Sequence, residues 1–182
     1  MINAIVACDS SGGIGKDNGI PWPKIHEDLQ YFKKQTSGHV VVMGSNTWNS
    51  KGMLKPLPNR HNVVVTTQNV LTPMPHTCIR EHVIDQILEL ENKFSDKIIW
   101  IIGGANLLKQ TKSIIDFWYI TRINQNYKCD VFIDPIWEDE QHELIKVTVM
   151  DDIPVSLVPR FYHTLSFEVY QNRAKLLDSD ND

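Results

Sequence analysis

Lys97-Ile98-Ile99-Trp100-Ile101-Ile102-Gly103-Gly104-Ala105-Asn106 is a largely apolar run closed by a glycine pair and followed by a helical pattern from Leu107 to Lys112. A continuous apolar run bounded by glycines is the signature of a strand covered on both faces. Strand, glycine pair and helix together make the layout found at the carboxyl end of a parallel strand, where α/β proteins bind ligands. The unit recurs outward from this stretch. Upstream, residues 2–8, His39 to Met43 and Asn62 to Thr67 are further apolar runs, with a shorter one at 77–80. Downstream lies Phe117 to Ile123. Helical periodicity fills the gaps at His26 to Thr36 and Val83 to Phe94, and Gly44-Ser45-Asn46-Thr47 opens a short helix. Glu143 to Met150 and Arg160 to Tyr170 alternate in polarity instead, as antiparallel edge strands do. The chain reads as α/β with a mainly parallel sheet and an antiparallel C-terminal edge.

At 182 residues, with 42% hydrophobic and 22% charged side chains, the composition is that of a globular domain, taken as a single one over 1–182 with an acidic tail from Ala174 to Asp182. The net charge of -4 and the absence of any Lys/Arg run argue against nucleic acid. No apolar run is long enough for a membrane span, and the apolar start, Met1 to Cys8, lacks the basic region of a signal peptide. Cys8, Cys78 and Cys129 are odd in number and show no metal-ligand spacing, so they read as free thiols of a cytoplasmic protein with no metal site.

Two stretches carry chemistry. Asp9 to Gly19 holds Gly12, Gly13, Gly15 and Gly19 and reads as a mobile loop or lid, with Ile14 apolar within it. It matches neither of the common phosphate-loop patterns. Next, Pro21 and Pro23 bracket Trp22 and stiffen the turn into the His26 helix. Asp28 stands one turn before Phe32, so a carboxylate and a ring share one side of that helix, with Leu29 and Thr36 nearby. Read alone, Glu27 and Asp28 are first-turn acids that complement the helix dipole. Arg60, after Leu57-Pro58-Asn59, is either a surface charge or a bidentate clamp on a carboxylate.

In order, Ile14-Gly15, Pro21-Trp22, Asp28-Leu29, Phe32-Lys33, Val42-Met43-Gly44-Ser45-Asn46-Thr47-Trp48, Leu57-Pro58-Asn59-Arg60, Ile101-Ile102-Gly103-Gly104, Thr121-Arg122-Ile123 and Asp130-Val131-Phe132 resemble the dihydrofolate reductase family over residues 1–170. The resemblance implies an eight-stranded, mainly parallel sheet with an antiparallel C-terminal strand and helices on both faces. It implies hydride transfer from NADPH to C6 of dihydrofolate with protonation at N5, giving tetrahydrofolate for one-carbon metabolism and thymidylate synthesis. By the same resemblance Asp28 is the site carboxylate, Trp22 holds a water beside it and Thr121 orients it. Ile5, Val6, Ala7, Leu29, Phe32, Leu57 and Ile102 would line the substrate pocket, and Arg60 would clamp the glutamate tail. Ala7, Ile14, Gly15, Ile20 and Ile102 would face the nicotinamide. Gly44, Ser45, Asn46 and Thr47, with Gly103, Gly104, Ala105, Asn106 and Leu107, would hold the pyrophosphate side. The Gly103-Gly104 bond would be the family's cis peptide. Val65, Thr66, Thr67 and Arg80 would lie near the adenosine phosphate.

The chain departs from the family pattern at several positions. Ser45 and Asn106 stand where basic residues often meet the cofactor phosphate, and Arg80 would supply the missing charge. Leu108 replaces a frequent Tyr, and Cys129 stands where Gly occurs in some members. The implied ligands are dihydrofolate, NADPH and antifolate inhibitors, bound by a cytoplasmic monomer. The alternatives are a related pterin or riboflavin-pathway reductase, or a non-catalytic folate- or nucleotide-binding protein on the same fold.

Overall fold

The computed structural model describes residues 1–154 and 162–175. Ten strands and four α-helices alternate through it. β1 (Ile2–Cys8), β3 (Val40–Gly44), β4 (His61–Val65), β5 (Thr77–Ile79), β6 (Ile99–Ile101), β7 (Phe117–Ile123), β9 (His142–Pro154) and β10 (Tyr162–Asn172) make one sheet of order β5-β4-β3-β6-β1-β7-β10-β9. All neighbours from β5 to β7 are parallel. β10 is antiparallel to both β7 and β9, so it alone reverses direction. The eight-stranded, mainly parallel sheet with an antiparallel C-terminal strand is therefore the observed architecture.

Side chains alternate strictly across this sheet. Ile2, Ala4, Cys8, Val40, Val42, Ile99, Ile101, Trp118 and Ile120 bury against α3 (Val83–Lys93) and α4 (Ala105–Thr111). Ile5, Val41, Met43, Val64, Trp100 and Tyr119 face the other way, under α1 (His26–Thr36) and α2 (Ser45–Trp48). Covering both faces is what turns these strands into continuous apolar runs in the sequence. Each large side chain so buried contributes about 1.5–3 kcal/mol.

α1 carries acids in its first turn and Lys33 and Lys34 in its last, both complementary to the helix dipole. It ends at Ser37, and Gly38 follows at φ 84°, a conformation glycine adopts without strain. Its sheet-facing side is built by Tyr31, Phe32 and buried Thr36, whereas Leu29 is 40% exposed.

The structure corrects several boundaries. The glycine-rich stretch is not simply a loop: Gly13–Gly15 is β2, paired antiparallel with β8 (Val131–Phe132) in a separate two-stranded sheet. Asp17 and Asn18, both at positive φ, then form a two-residue hairpin turn closed by Lys16 and Gly19, whose amides and carbonyls exchange 2.9 Å bonds. α4 begins at Ala105, two residues before the sequence periodicity starts, because Gly104 is its N-cap. Thr66 and Thr67 lie beyond the end of β4. β9 extends to Pro154, past the expected Met150. The expected start of the last strand at Arg160, and most of the acidic tail, residues 176–182, fall outside the described residues.

Candidate active site

The parallel strands deliver their carboxyl ends to one edge of the molecule, and the sequence-selected residues gather there. β1 presents Ile5 and Ala7, in register with Tyr119 and Thr121 of β7, whereas the Val6 side chain, expected in the pocket, alternates to the α3/α4 face and packs in that core. Ile5, Phe32, Leu57 and Ile102 belong to one apolar cluster. Trp22, Ala7 and Tyr31 belong to the adjoining one with Ile25, Ile123 and Phe167. The two clusters meet at Tyr31, whose ring lies 4.5 Å from that of Phe167.

Asp28 projects from the first turn of α1 toward this floor. The Thr121 hydroxyl lies beside its carboxyl and favours the charged form; Thr121 is 1% exposed in the middle of β7. Burial pushes the Asp28 carboxyl above the ordinary carboxylate range, and the Thr121 hydroxyl opposes that rise without cancelling it. An acid so placed holds a proton at a higher pH than a surface acid and offers directional contacts to a polar ring. The dipole of α1 favours its charged form, yet desolvation prevails.

Arg60 stands at the far side of the same helix. Its Nε donates to the Pro58 carbonyl at 2.9 Å and its Nη1 to Thr36 Oγ1 at 3.0 Å. The guanidinium carbon lies 5.8 Å from the centroid of the Phe32 ring. Thr36 Oγ1 itself donates to the Phe32 carbonyl at 2.8 Å. The guanidinium is thus half-buried, oriented and without a carboxylate partner among the described residues, which favours the clamp over the surface-charge reading.

Four adjacent strands supply the second half of the site. Gly44 ends β3 and caps α2, and Gly104 caps α4. The Gly44 amide donates to the Gly103 carbonyl at 2.9 Å, which brings the two helix starts together. The Gly103-Gly104 peptide is cis. A Cβ on Gly104 would sit 3.4 Å from Thr47 Oγ1. The surface between the two helices is therefore bare backbone with a hydroxyl beside it, where a phosphate oxygen can approach closely. Val65 pairs with Gly44 one strand over. The Thr66 amide bonds the Ile79 carbonyl at 2.9 Å, so Arg80 emerges beside Thr66 and Thr67. Its guanidinium is already committed to the Gln68 carbonyl and, at 3.2 Å, to that of Asn69.

Some residues are less engaged. Asn46, Thr67 and Asn106 are exposed at the rim, Ser45 is half-buried in α2 and Ala105 in α4. Ile20 is 65% exposed. Leu107 is 5% exposed and packs in the α3/α4 core. Ile14 packs on that core too, beside Gly15 in β2. Missed by the sequence reading is Asp9, which is fully buried. Its Oδ1 accepts the amides of Ser11 and Gly13 at 2.8 Å, and its Oδ2 the amide of Tyr127 at 3.0 Å. Burial would raise its pKa, but these backbone bonds hold it below the usual range. The signal was an acid followed by Ser-Ser-Gly-Gly, which is an Asx-type turn.

Comparison with known proteins bears on this arrangement directly. The dihydrofolate reductase family profile matches residues 1–158. The dihydrofolate reductase of Bacillus subtilis (strain 168) is 37% identical over 130 residues, covering 71% of this chain and 73% of that one. The dihydrofolate reductase of Gallus gallus is 29% identical over 183 residues, covering 93% and 95%. A solved structure of the Enterococcus faecalis dihydrofolate reductase, complexed with NADP(H) and RAB-propyl, superposes with a TM-score of 0.79 at 26% identity, covering 94% of this chain and 95% of that one.

Proposed function

Because the chain belongs to the dihydrofolate reductase family, we infer that it reduces 7,8-dihydrofolate to 5,6,7,8-tetrahydrofolate at the expense of NADPH. When bound, NADPH supplies the hydride that C6 receives, while N5 takes a proton. The residues present fit such a cofactor: the bare backbone between Gly44 and Gly104, flanked by Thr47, suits its pyrophosphate. Val65, Thr66, Thr67 and Arg80 would serve the adenosine end, and Ala7, Ile14, Gly15, Ile20 and Ile102 the nicotinamide.

The roles of the side chains follow from their chemistry. Asp28, with Thr121 orienting it, would hydrogen-bond the pterin N3 and 2-amino group and favour protonation at N5, directly or through a water held beside Trp22. Ile5, Phe32, Leu57 and Ile102 would exclude bulk water from the ring. Arg60, its fork already aimed by Pro58 and Thr36, would take the glutamate carboxylate. We read the molecule as a single cytoplasmic domain working as a monomer on small molecules, open to antifolates. No described helix is long and apolar enough to cross a membrane.

The observation that carries the reading is Asp28, an acid in the first turn of α1 with the Thr121 hydroxyl of β7 beside it, over the apolar floor of Ile5, Phe32, Leu57 and Ile102. The test follows NADPH absorbance with dihydrofolate. Wild type should turn over, and Asp28→Asn should lose on the order of 10²–10⁴-fold near neutral pH, the usual worth of a positioned acid–base group. Unchanged turnover in the variant would remove Asp28 from its role. Arg80→Ala should raise the KM for NADPH and leave that for dihydrofolate; equal NADPH values would dismiss Arg80.

A further inference from the structure

α4 has two ends, and the reductase reading uses only the one capped by Gly104. At its other end, the last turn of α4 and the single helical turn Lys112–Ile114 that follows meet the start of β9 and the end of β10. Between them lies a cavity of about 510 Å³, whose walls include Lys109, Lys112, Ser113, His142 and Lys175. That volume falls within the range of about 300–1,000 Å³ usual for small-molecule sites. Asp116 accepts the Ile2 amide at 2.7 Å and Lys175 Nζ at 2.8 Å, which ties this corner to the start of β1. The cavity therefore belongs to the amino-terminal side of the parallel strands, whereas the cleft lies at their carboxyl ends.

Its walls are cationic. Lys112 Nζ pairs with Asp139 Oδ2 at 2.6 Å, and Lys175 with Asp116. Lys109, exposed on the last turn of α4, has no ion-pair partner among the described residues. Three ammonium groups thus stand against two carboxylates. His142 adds a buried polar group. Its side chain is 1% exposed, and neither ring nitrogen has a hydrogen-bond partner among the described residues. Asp139 Oδ2 is 3.4 Å from Nδ1 but is taken up by Lys112, and Oδ1 by the Gln141 amide. The ring stands edge-on to Trp118, with centroids 6.1 Å apart and planes at 81°, and Trp118 Nε1 is unpartnered as well. Buried nitrogens left without partners are rare, and each calls for an occupant. Burial lowers the His142 pKa, with Asp139 opposing, so near neutral pH the ring is uncharged and offers one donor and one acceptor.

These groups select a ligand class. No arginine lines the cavity among the described residues, so it lacks the planar fork that reads a carboxylate bidentately. Lysines instead bind phosphoryl oxygens as point charges. A phosphate monoester loses its second proton at about pH 6, so it can meet an uncharged imidazole as donor or acceptor, whereas a carboxylate only accepts. We propose that the cavity between the end of α4 and the β9 and β10 termini is a binding site for a small phosphate monoester, held by Lys109 and Lys112 with His142 at its base. The site is separate from the cleft and does not depend on the reductase reading.

The test is proton–nitrogen NMR of the full chain, following the Trp118 indole N–H, assigned with Trp118→Phe. Glycerol phosphate, inorganic phosphate and citrate are titrated separately, with and without excess NADPH. Glycerol phosphate should move the indole signal saturably in the millimolar range, equally with and without NADPH. Inorganic phosphate should saturate more weakly, and citrate not at all. Lys109→Gln breaks no described ion pair, so it should fold as wild type does. It should weaken glycerol phosphate about tenfold, the low end for one hydrogen bond to a charged group. Lys109→Arg keeps the charge and should retain most of the affinity. A signal that never saturates would overturn the proposal, as would citrate binding more tightly than either phosphate. An equal response in Lys109→Gln, or one that NADPH abolishes, would place the binding elsewhere and overturn it too. So would a response that appears only when Asp178, Asp180 and Asp182 are changed to Asn, since the cavity would then belong to the acidic end of the chain itself.

Discussion

Thr121 and Arg122 are neighbours on β7 that point to opposite faces of the sheet, and each serves an acid on its own face. Under α1, Asp28 has the Thr121 hydroxyl beside it, and burial leaves its pKa raised. On the α3/α4 face, Glu168 of β10 receives Arg122 Nε and Nη2, both at 3.2 Å, with the Ser166 hydroxyl at 2.6 Å and that of Tyr170 at 2.7 Å. The Arg122 guanidinium lies 3.9 Å over the Trp137 ring. Burial would raise the Glu168 pKa, but Arg122 and the two hydroxyls hold it below the ordinary range. The same residue class thus titrates in opposite directions on the two faces. The saturated acid has no bonding capacity left for a ligand, whereas the underbonded one must find its remaining partners in whatever enters the cleft. Partner count separates the structural acid from the one we propose works in the reaction.

Breaking the saturated side should give the largest stability effect. Glu168→Ala strands Arg122, whose side chain is only 22% exposed, and should cost about 3 kcal/mol, the low end for removing one partner of a buried pair. Denaturant unfolding at pH 7 measures it, and turnover per folded molecule should change little. Asp28→Asn should move stability the other way by less, because it removes a carboxylate that burial penalises. The pH dependence separates the two. A lowered folded pKa gives stability that is present above the unfolded value and lost as pH falls through the folded one, so the Glu168→Ala deficit should shrink in acid. A raised folded pKa gives stability that is present below the unfolded value and lost as pH rises, so the Asp28→Asn gain should appear near neutrality and vanish in acid. Unfolding midpoints across pH 3–8 check both signs; parallel curves for the two variants would undo the contrast.

The sequence disclosed these two acids unequally. The strands were legible because double-sided burial writes itself as apolar runs, and α1 because its capping glycine, terminal charges and periodicity agree. β2 and β8 were not, since two short segments become strands only through pairing with each other. Asp28 was visible as an acid one turn before Phe32, but its working character depends on Thr121 far along the chain. Thr121 by itself looks like any threonine in an apolar strand. The role proposed for it comes from the order of motifs shared with the family, not from local chemistry. Glu168 and Tyr170 read as alternation in an edge strand, and Arg122 as part of a family motif. Nothing in either segment says that the three converge. The grouping of Lys109 and Lys112 with His142 was illegible for the same reason: a meeting of distant segments leaves no period.

Thr121 is where the comparison can be sharpened with the smallest change. Thr121→Val keeps the shape and removes the hydroxyl. The Thr121 hydroxyl favours the charged form of Asp28, so its loss leaves desolvation unopposed and the Asp28 pKa must rise further. A higher pKa means that the site stays protonated to higher pH, and the limb of the hydride-transfer profile governed by Asp28 should move to higher pH. The stability cost should be about 1 kcal/mol, that of one hydrogen bond, since Ala7 and Phe167 still flank the position in register. Thr121→Ser restores the hydroxyl and should return the profile, although the lost methyl leaves a small cavity in β7. A Val variant whose profile coincides with wild type would mean that Thr121 only fills space. Asp28 would then be underbonded altogether, and the contrast with Glu168 would be greater than the two hydroxyls on that side already make it.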